Sequence, residues 1–261
     1  LWQWLVGDTA STGSTITAGS VSTGVPSIAS TAIAADAGHF SVVQYTGNTS
    51  SAQTVGHGLG GVAEAIVVKN LAATSTNWPM LHKDLGSIAG GGGNYILLND
   101  AGVTGANTNY WNDTSPTASV FSIGSGGTPD TNDGGGETFI AYCFRSIAGV
   151  CKVGSYEGNG DADGSYIPTG FKPAWLMCKS IDSTSDWQIF DSRRNGFNVR
   201  NNELEANDTA TEDTSTVFLD LLADGFKMRI ASADPNVAET YIYLAMAEIG
   251  GGGTLPPIYS R

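Results

Sequence analysis

Phe40-Ser-Val-Val-Gln-Tyr45-Thr-Gly47-Asn48 decides the reading of this chain, because it returns as Cys151-Lys-Val-Gly-Ser-Tyr156-Glu-Gly158-Asn159. Six or seven residues that alternate toward a tyrosine, then Gly-Asn, read as a strand running into a tight turn. The echo continues on either side. Ala65-Ile-Val-Val-Lys69, a polar turn and Asn77-Trp78 come back as Trp175-Leu-Met-Cys-Lys179, a polar turn and Asp186-Trp187. Glu137-Thr-Phe-Ile-Ala-Tyr-Cys143 is answered by Glu239-Thr-Tyr-Ile-Tyr-Leu-Ala245. A repeat of roughly a hundred residues is a whole small domain, longer than a solenoid or propeller unit.

The strand candidates of the first copy are 40–45, 65–70, 78–82, 95–99, 120–123 and 138–144. Those of the second are 151–156, 174–180, 187–191, 203–206, 217–222, 226–230 and 240–247. Each is rich in β-branched and aromatic residues and is bounded by Gly, Asn or Asp, and no capped helical stripe interrupts them. The expectation is an all-β chain of two tandem antiparallel β-sandwich, jelly-roll-like modules at 38–149 and 150–249, related by internal duplication. Leu1-Trp-Gln-Trp-Leu-Val6 has the shape of the closing strand of each module, so it reads as the end of an upstream copy in a longer protein. Residues 7–37, dominated by Ser, Thr, Ala and Gly, read as an extended linker, and 250–261 as a flexible Gly/Pro tail.

Charged residues are only 14% of the chain, and the net charge is −13. No basic face is available to neutralise phosphates, so nucleic-acid binding is not expected. No apolar run reaches the ~20 residues of a membrane helix, so membrane insertion is not expected either. Cys143, Cys151 and Cys178 fall where an apolar residue is due, Cys151 opposite Phe40 and Cys178 opposite Val68. They read as buried free thiols.

Residues able to carry chemistry are sparse. Asn159, Asp161 and Asp163 place oxygen donors at alternating positions like the start of a calcium loop, although the expected closing acid is Gly170. They are the candidate cation ligands, and no other cofactor is expected. Asp130-Thr-Asn-Asp133 and the segment from Asp208 to Asp213 read as loose acidic loops. His39, His57 and His82 all lie in the first module, and Thr169 and Asp191 stand where His57 and His82 would recur, which points to loop or sheet-face roles. Glu203 and Glu205 form a carboxylate pair of the kind a glycosidase needs. Their counterparts, read as Leu97 and Asn99, carry no acid, so catalysis is not expected. Tyr110 and Trp111, with Asn112 and Asp113, sit in a polar stretch and are the candidate exposed contacts for a glycan. Leu1, Trp2, Trp4 and Leu5, too apolar for water, are the candidate assembly contacts, which favours a homo-oligomer, either a trimer or a filament.

Five stretches are distinctive: 40–48, Val55-Gly-His-Gly-Leu-Gly60, 150–160, Tyr166-Ile-Pro-Thr-Gly-Phe-Lys-Pro-Ala-Trp175 and Trp187-Gln-Ile-Phe-Asp191. Together they make most of residues 37–249 resemble an uncharacterised domain of large virion proteins in marine tailed bacteriophages, often labelled tail-fibre or structural. The resemblance implies a structural virion protein, a tail or head fibre or decoration segment, located in the virion or outside the cell. Its implied partners are other virion subunits. A host-adhesion module for surface polysaccharide is the alternative, and a polysaccharide depolymerase the third reading.

Overall fold

The computed structural model describes residues 14–19, 25–50, 52–73, 75–86, 94–124, 130–133, 136–194, 196–231 and 233–248. Leu1, Trp2, Trp4 and Leu5, the glycine run at 90–93 and the tail from 250 lie outside them. The first half contains β1 (Ser14–Ile16), β2 (Ser30–Ala34), β3 (Phe40–Thr46), β4 (Gln53–Gly56), β5 (Ala65–Asn70), β6 (Pro79–His82), β7 (Asn94–Leu97), β8 (Gly105–Ala106), the four-residue helix α1 (Thr108–Trp111), β9 (Val120–Ile123) and β10 (Thr138–Phe144). The second contains β11 (Cys151–Glu157), β12 (Tyr166–Pro168), β13 (Pro173–Ser180), β14 (Gln188–Asp191), β15 (Leu204–Glu205), β16 (Leu219–Leu222), β17 (Gly225–Met228) and β18 (Thr240–Ala247). The fold is all-β, and every strand-to-strand ladder is antiparallel.

The halves share one strand order. The large sheet of the first runs β1-β2-β3-β10-β5-β6-β7-β8, and that of the second runs β11-β18-β13-β14-β15, so β3-β10-β5-β6-β7 has its full counterpart. First pairs with last, β3 with β10 and β11 with β18, while the next strands pair in a separate small sheet, β4 with β9 and β12 with β17. This nesting is that of a jelly roll. Registers agree as well. Tyr45 faces Phe139 and Tyr156 faces Tyr241. Both ring pairs stack, at 5.2 Å and 5.0 Å between centroids.

The motif quoted at the outset is the corner that closes each half. Tyr45 donates its hydroxyl to the Thr131 carbonyl at 2.7 Å, and Tyr156 to that of Pro235 at 2.9 Å. Gly47 N–H donates to Glu137 O and Gly158 N–H to Glu239 O. A Cβ on Gly47 would meet Asp133 O at 2.8 Å, and one on Gly158 would run into Val237 O, so the crossing chain leaves room only for glycine. Asn48 N–H then donates to Asn132 Oδ1 at 2.9 Å, and Asn159 N–H to Asn236 Oδ1 at 3.1 Å. The segments 130–132 and 234–236 are therefore equivalent, a match hidden by Thr131 against Pro235 and by the shorter spacing in the second half.

Among the described residues, three cores separate four sheet layers. One lies between the first large sheet and β4–β9, holding Tyr45, Val68, Phe121 and Phe139. Another lies between the second large sheet and its three-stranded partner, holding Leu176, Phe190, Phe226 and Tyr241. The middle core joins the halves, with Phe40, Val67, Met80 and Phe144 from one sheet against Trp175, Met177, Trp187 and Leu244 from the other. Alternate residues of β18 feed different cores, Tyr241, Tyr243 and Ala245 outward and Ile242, Leu244 and Met246 inward. A sheet buried on both faces must be apolar at successive positions. That requirement accounts for the low charge content. It also corrects the picture of two self-sufficient modules in a row, because a whole layer of the interior belongs to neither alone.

The segment expected as a linker is partly structure. β1 and β2 extend the first large sheet beyond β3, with Ala32 opposite Val43. Ile28 and Ala32 are buried and Ile16 packs against them, so these apolar positions face the chain's own core. Gln53–Gly56 and Tyr166–Pro168 were not expected as strands, since three or four residues broken by Gly or Pro carry too little pattern. The carboxylate register also moves by two. Leu98 N–H donates to Trp78 O as Ala206 N–H does to Trp187 O, which aligns Glu203 and Glu205 with Tyr95 and Leu97.

Cys143, Cys151 and Cys178 are free and buried, and burial pushes each thiol up to about 12. They should ignore a disulfide-exchange reagent in the folded protein and titrate fully in denaturant. Trp187 is 1% exposed and its indole N–H donates to Leu97 O across the middle core at 2.8 Å. Trp187→Ala should cost about 3–5 kcal/mol in urea unfolding. The half-exposed Trp78 at the matched position should cost less than half of that on the same substitution.

Candidate functional site

The aromatic pair proposed for a glycan is not available to one. Tyr110 and Trp111 are 4% and 0% exposed, carried on α1 into the first core. Tyr110 donates its hydroxyl to Asp130 Oδ2 at 3.1 Å and packs on Tyr95 at 4.2 Å between centroids. Asn112, with φ 50°, caps the helical turn in the left-handed region, and Asp113 follows at φ 47°. The polar residues around them suggested a surface loop, but they are the caps of a turn whose two rings point inward.

The loop proposed for calcium closes on itself. Asn159 Oδ1 accepts from Asp161 N–H at 3.0 Å, and Asp161 Oδ1 from Asp163 N–H at 2.8 Å. Asp163 pairs with Lys227 at 2.5 Å, which holds its carboxyl below the usual range. Alternating acids of this kind make successive side-chain turns as readily as a metal loop.

His57 and His82 are structural. His57 Nδ1 accepts from Leu59 N–H, and its Nε2 faces Thr117 O at 3.1 Å. His82 Nδ1 accepts from Asp84 N–H, and its Nε2 faces Tyr243 O of the other half at 3.3 Å. In the second half Thr169 Oγ1 and Asp191 Oδ1 accept from Phe171 and Arg193 at the same places. Each imidazole must therefore be neutral with its proton on Nε2. Burial lowers the pKa of His39 and His57, and that of His82 to about 4.

Acids do converge elsewhere. Asp186 precedes β14, Glu205 ends β15 and Asp208 lies in the loop beyond, and their carboxylate oxygens lie within 4.8 Å of one another. The β14–β15 ladder assembles them. Gln188 stands opposite Glu205, so Asp186, Gln188, Glu203 and Glu205 share the sheet face turned from the middle core. Asn207 fixes the corner, accepting from Trp187 N–H and donating to Asp186 Oδ1, both at 2.7 Å. Glu203 is 5% exposed and its carboxyl is raised to about 7, by burial first and then by Glu205, Asp213 and Asp186. Burial, Asp186 and Asp208 also raise Glu205. Arg194, the cation acting on Glu203, binds Asp191, Glu212 and the Ile189 carbonyl. Sequence spacing missed this cluster because Asp186 lies some twenty residues before Glu205 and Asp208 and meets them only through the hairpin.

A second feature lies between the two large sheets. An apolar cavity of about 310 Å³ is lined by Val67 and Met177, Met80 and Ile189, Leu98 and Ala206, Tyr142 and Leu244, with Trp78 and Trp175. All but the two tryptophans are matched pairs from the two halves.

As pH falls, the unfolded chain protonates His82 near 6.5 while the folded protein resists until about 4. Its contribution to stability is therefore present at neutral pH and is lost between those values, by about 3 kcal/mol in total. His82→Asn keeps an acceptor for Asp84 N–H and removes the titration. Urea midpoints measured from pH 7 to pH 4 should fall less steeply in this variant than in the parent.

Residues 1–249 match a protein family described as a domain of unknown function, DUF7483. No curated protein and no solved structure matches the chain.

Proposed function

We propose for this chain, which belongs to the DUF7483 family over residues 1–249, a structural role in the virion of a tailed bacteriophage. The chain is a segment of a tail or head fibre or of a decoration protein, and it acts through assembly and surface contacts without catalysis. The resemblance in the motif stretches motivates the phage setting. One structural observation carries the scaffold reading. The residues repeated between the halves, Tyr45/Tyr156, Gly47/Gly158, Asn48/Asn159 and Asn132/Asn236, all serve the corner that closes each half. What the chain says twice is therefore architecture. The partners under this reading are other virion subunits, including further copies of this chain as a trimer or a filament.

Antibodies against the folded protein should decorate purified particles at a fixed virion position under immunogold electron microscopy. Absence of the chain from washed particles would overturn the proposal. So would release of reducing sugar from host polysaccharide by the purified protein, which would favour a depolymerase. Saturable binding on a glycan array, with the chain located at a fibre tip, would shift the reading to adhesion.

A further inference from the structure

We propose that the cavity between the two large sheets binds a neutral planar aromatic molecule of about two fused rings. Buried members of its lining make the floor, Val67, Met80 and Phe144 from one sheet and Met177 and Leu244 from the other. Half-exposed or exposed members make the rim, Trp78, Leu98 and Ile189 with Ala206. The space is therefore a pocket with an entrance, set in a layer that is otherwise packed. Native interiors seldom keep a void larger than a water molecule, so one of about 310 Å³ calls for an occupant.

A difference between the halves opens the cavity, and bonds across the layer keep it open. Trp78 and Trp187 have the same backbone setting, each N–H donating to an asparagine Oδ1 at 2.7 Å, Asn99 and Asn207. Their rings part company. Trp187 is buried and its indole N–H donates to Leu97 O of the other sheet at 2.8 Å, so it fills its end of the layer. Trp78 is half-exposed, with the Lys69 ammonium over its ring at 5.6 Å, and stays at the rim. On the same rim Ala206 stands where the first half has Leu98. The sheets do not close over the gap, because three bonds brace them at a fixed spacing: Trp187 to Leu97 O, Lys179 to Ala101 O at 2.9 Å and His82 to Tyr243 O at 3.3 Å.

The lining selects the ligand. None of the residues that bound the cavity carries a charge, so an ionised group inside would lose its water and gain no partner. Four of them are aromatic, Trp78, Tyr142, Phe144 and Trp175, and two are methionines, Met80 and Met177. Rings gain from ring partners that stack or meet edge-on, and a thioether gains from lying against a ring. Both preferences favour a flat aromatic over an alkyl chain of the same volume. An apolar cavity of about 150 Å³ holds benzene, so this one has room for two fused rings. The site is independent of which virion part holds the chain.

Calorimetric titration of the full chain with naphthalene tests this. One saturating site should appear. Naphthalene-2-sulfonate, the same rings with a charge, and 1-octanol, of similar size without rings, should each bind at least about tenfold more weakly. Two variants fill the cavity from opposite sheets. Ala206→Leu restores the leucine of the first half at the rim, and Val67→Phe adds a ring at the floor. Each should weaken naphthalene binding by about tenfold or more while urea unfolding stays cooperative. Phe197→Ser removes an apolar side chain that is 83% exposed elsewhere, and should bind like the parent. No saturable naphthalene binding would overturn the proposal. So would equal affinity for the sulfonate or for octanol, undiminished affinity in whichever filled variant folds, or a loss confined to Phe197→Ser.

Discussion

A single buried amide in each half holds the closure together. Asn132 and Asn236 are both wholly buried. The oxygen of each receives the backbone N–H that follows the Tyr-x-Gly turn. The nitrogen of Asn132 donates to Ser50 O and Gly124 O, and that of Asn236 to Asp161 O and Ile230 O. One acceptor and two donors are thus all satisfied, and three chain segments are pinned at one point. An aspartate has the shape but neither donor. The clamp sets where the chain enters β10 or β18, and that strand is the one on which the rest of the large sheet assembles. First-with-last pairing, stacked rings and the small covering sheet all follow from it.

The second constraint is that the two large sheets cover each other. Each half alone would expose Val67, Met80 and Phe144, or Trp175, Met177 and Leu244, on the uncovered face. The same sheet face is used in both halves, so the contact resembles that of a dimer whose subunits were joined in one chain. It is not wholly even. Trp187 crosses to Leu97, Lys179 donates to Ala101 O, and His82 reaches Tyr243 O. Where Leu98 is matched by the smaller Ala206, the layer leaves the apolar cavity.

The strands that build the large sheets were legible because hydrophobic content there is dense and the repeat shows which positions matter. Tyr45, Trp78 and Glu137 announced their partners before any coordinate did. Trp111 was misread because amphipathic context on a four-residue turn says nothing about direction: Asn107 and Asn112 are polar because they cap, and the ring between them is free to turn inward. The linker was misread because Ser, Thr and Ala carry little hydrophobic signal, while β3 offered an unpaired edge that even Ser30–Ala34 could complete. The acidic cluster was illegible in principle, since Asp186 and Glu205 become neighbours only when Gln188 finds Glu205 across the ladder.

Pairing first strand with last has a mechanical consequence. Phe40, at the start of β3, lies opposite Phe144, at the end of β10, and Cys151 lies opposite Met246 in the same way. The chain thus enters and leaves the second half at one end of one strand pair, and the first half does the same once β1 and β2 are peeled from the edge of β3. Tension applied at those two points would open the pair rung by rung, as a zipper opens, with no row of hydrogen bonds sharing the load in shear. A half built this way adds little to the contour length of the chain that carries it. It hangs beside the line of pull, suited to presenting a surface or filling a shell, and it would yield at low force in single-molecule stretching.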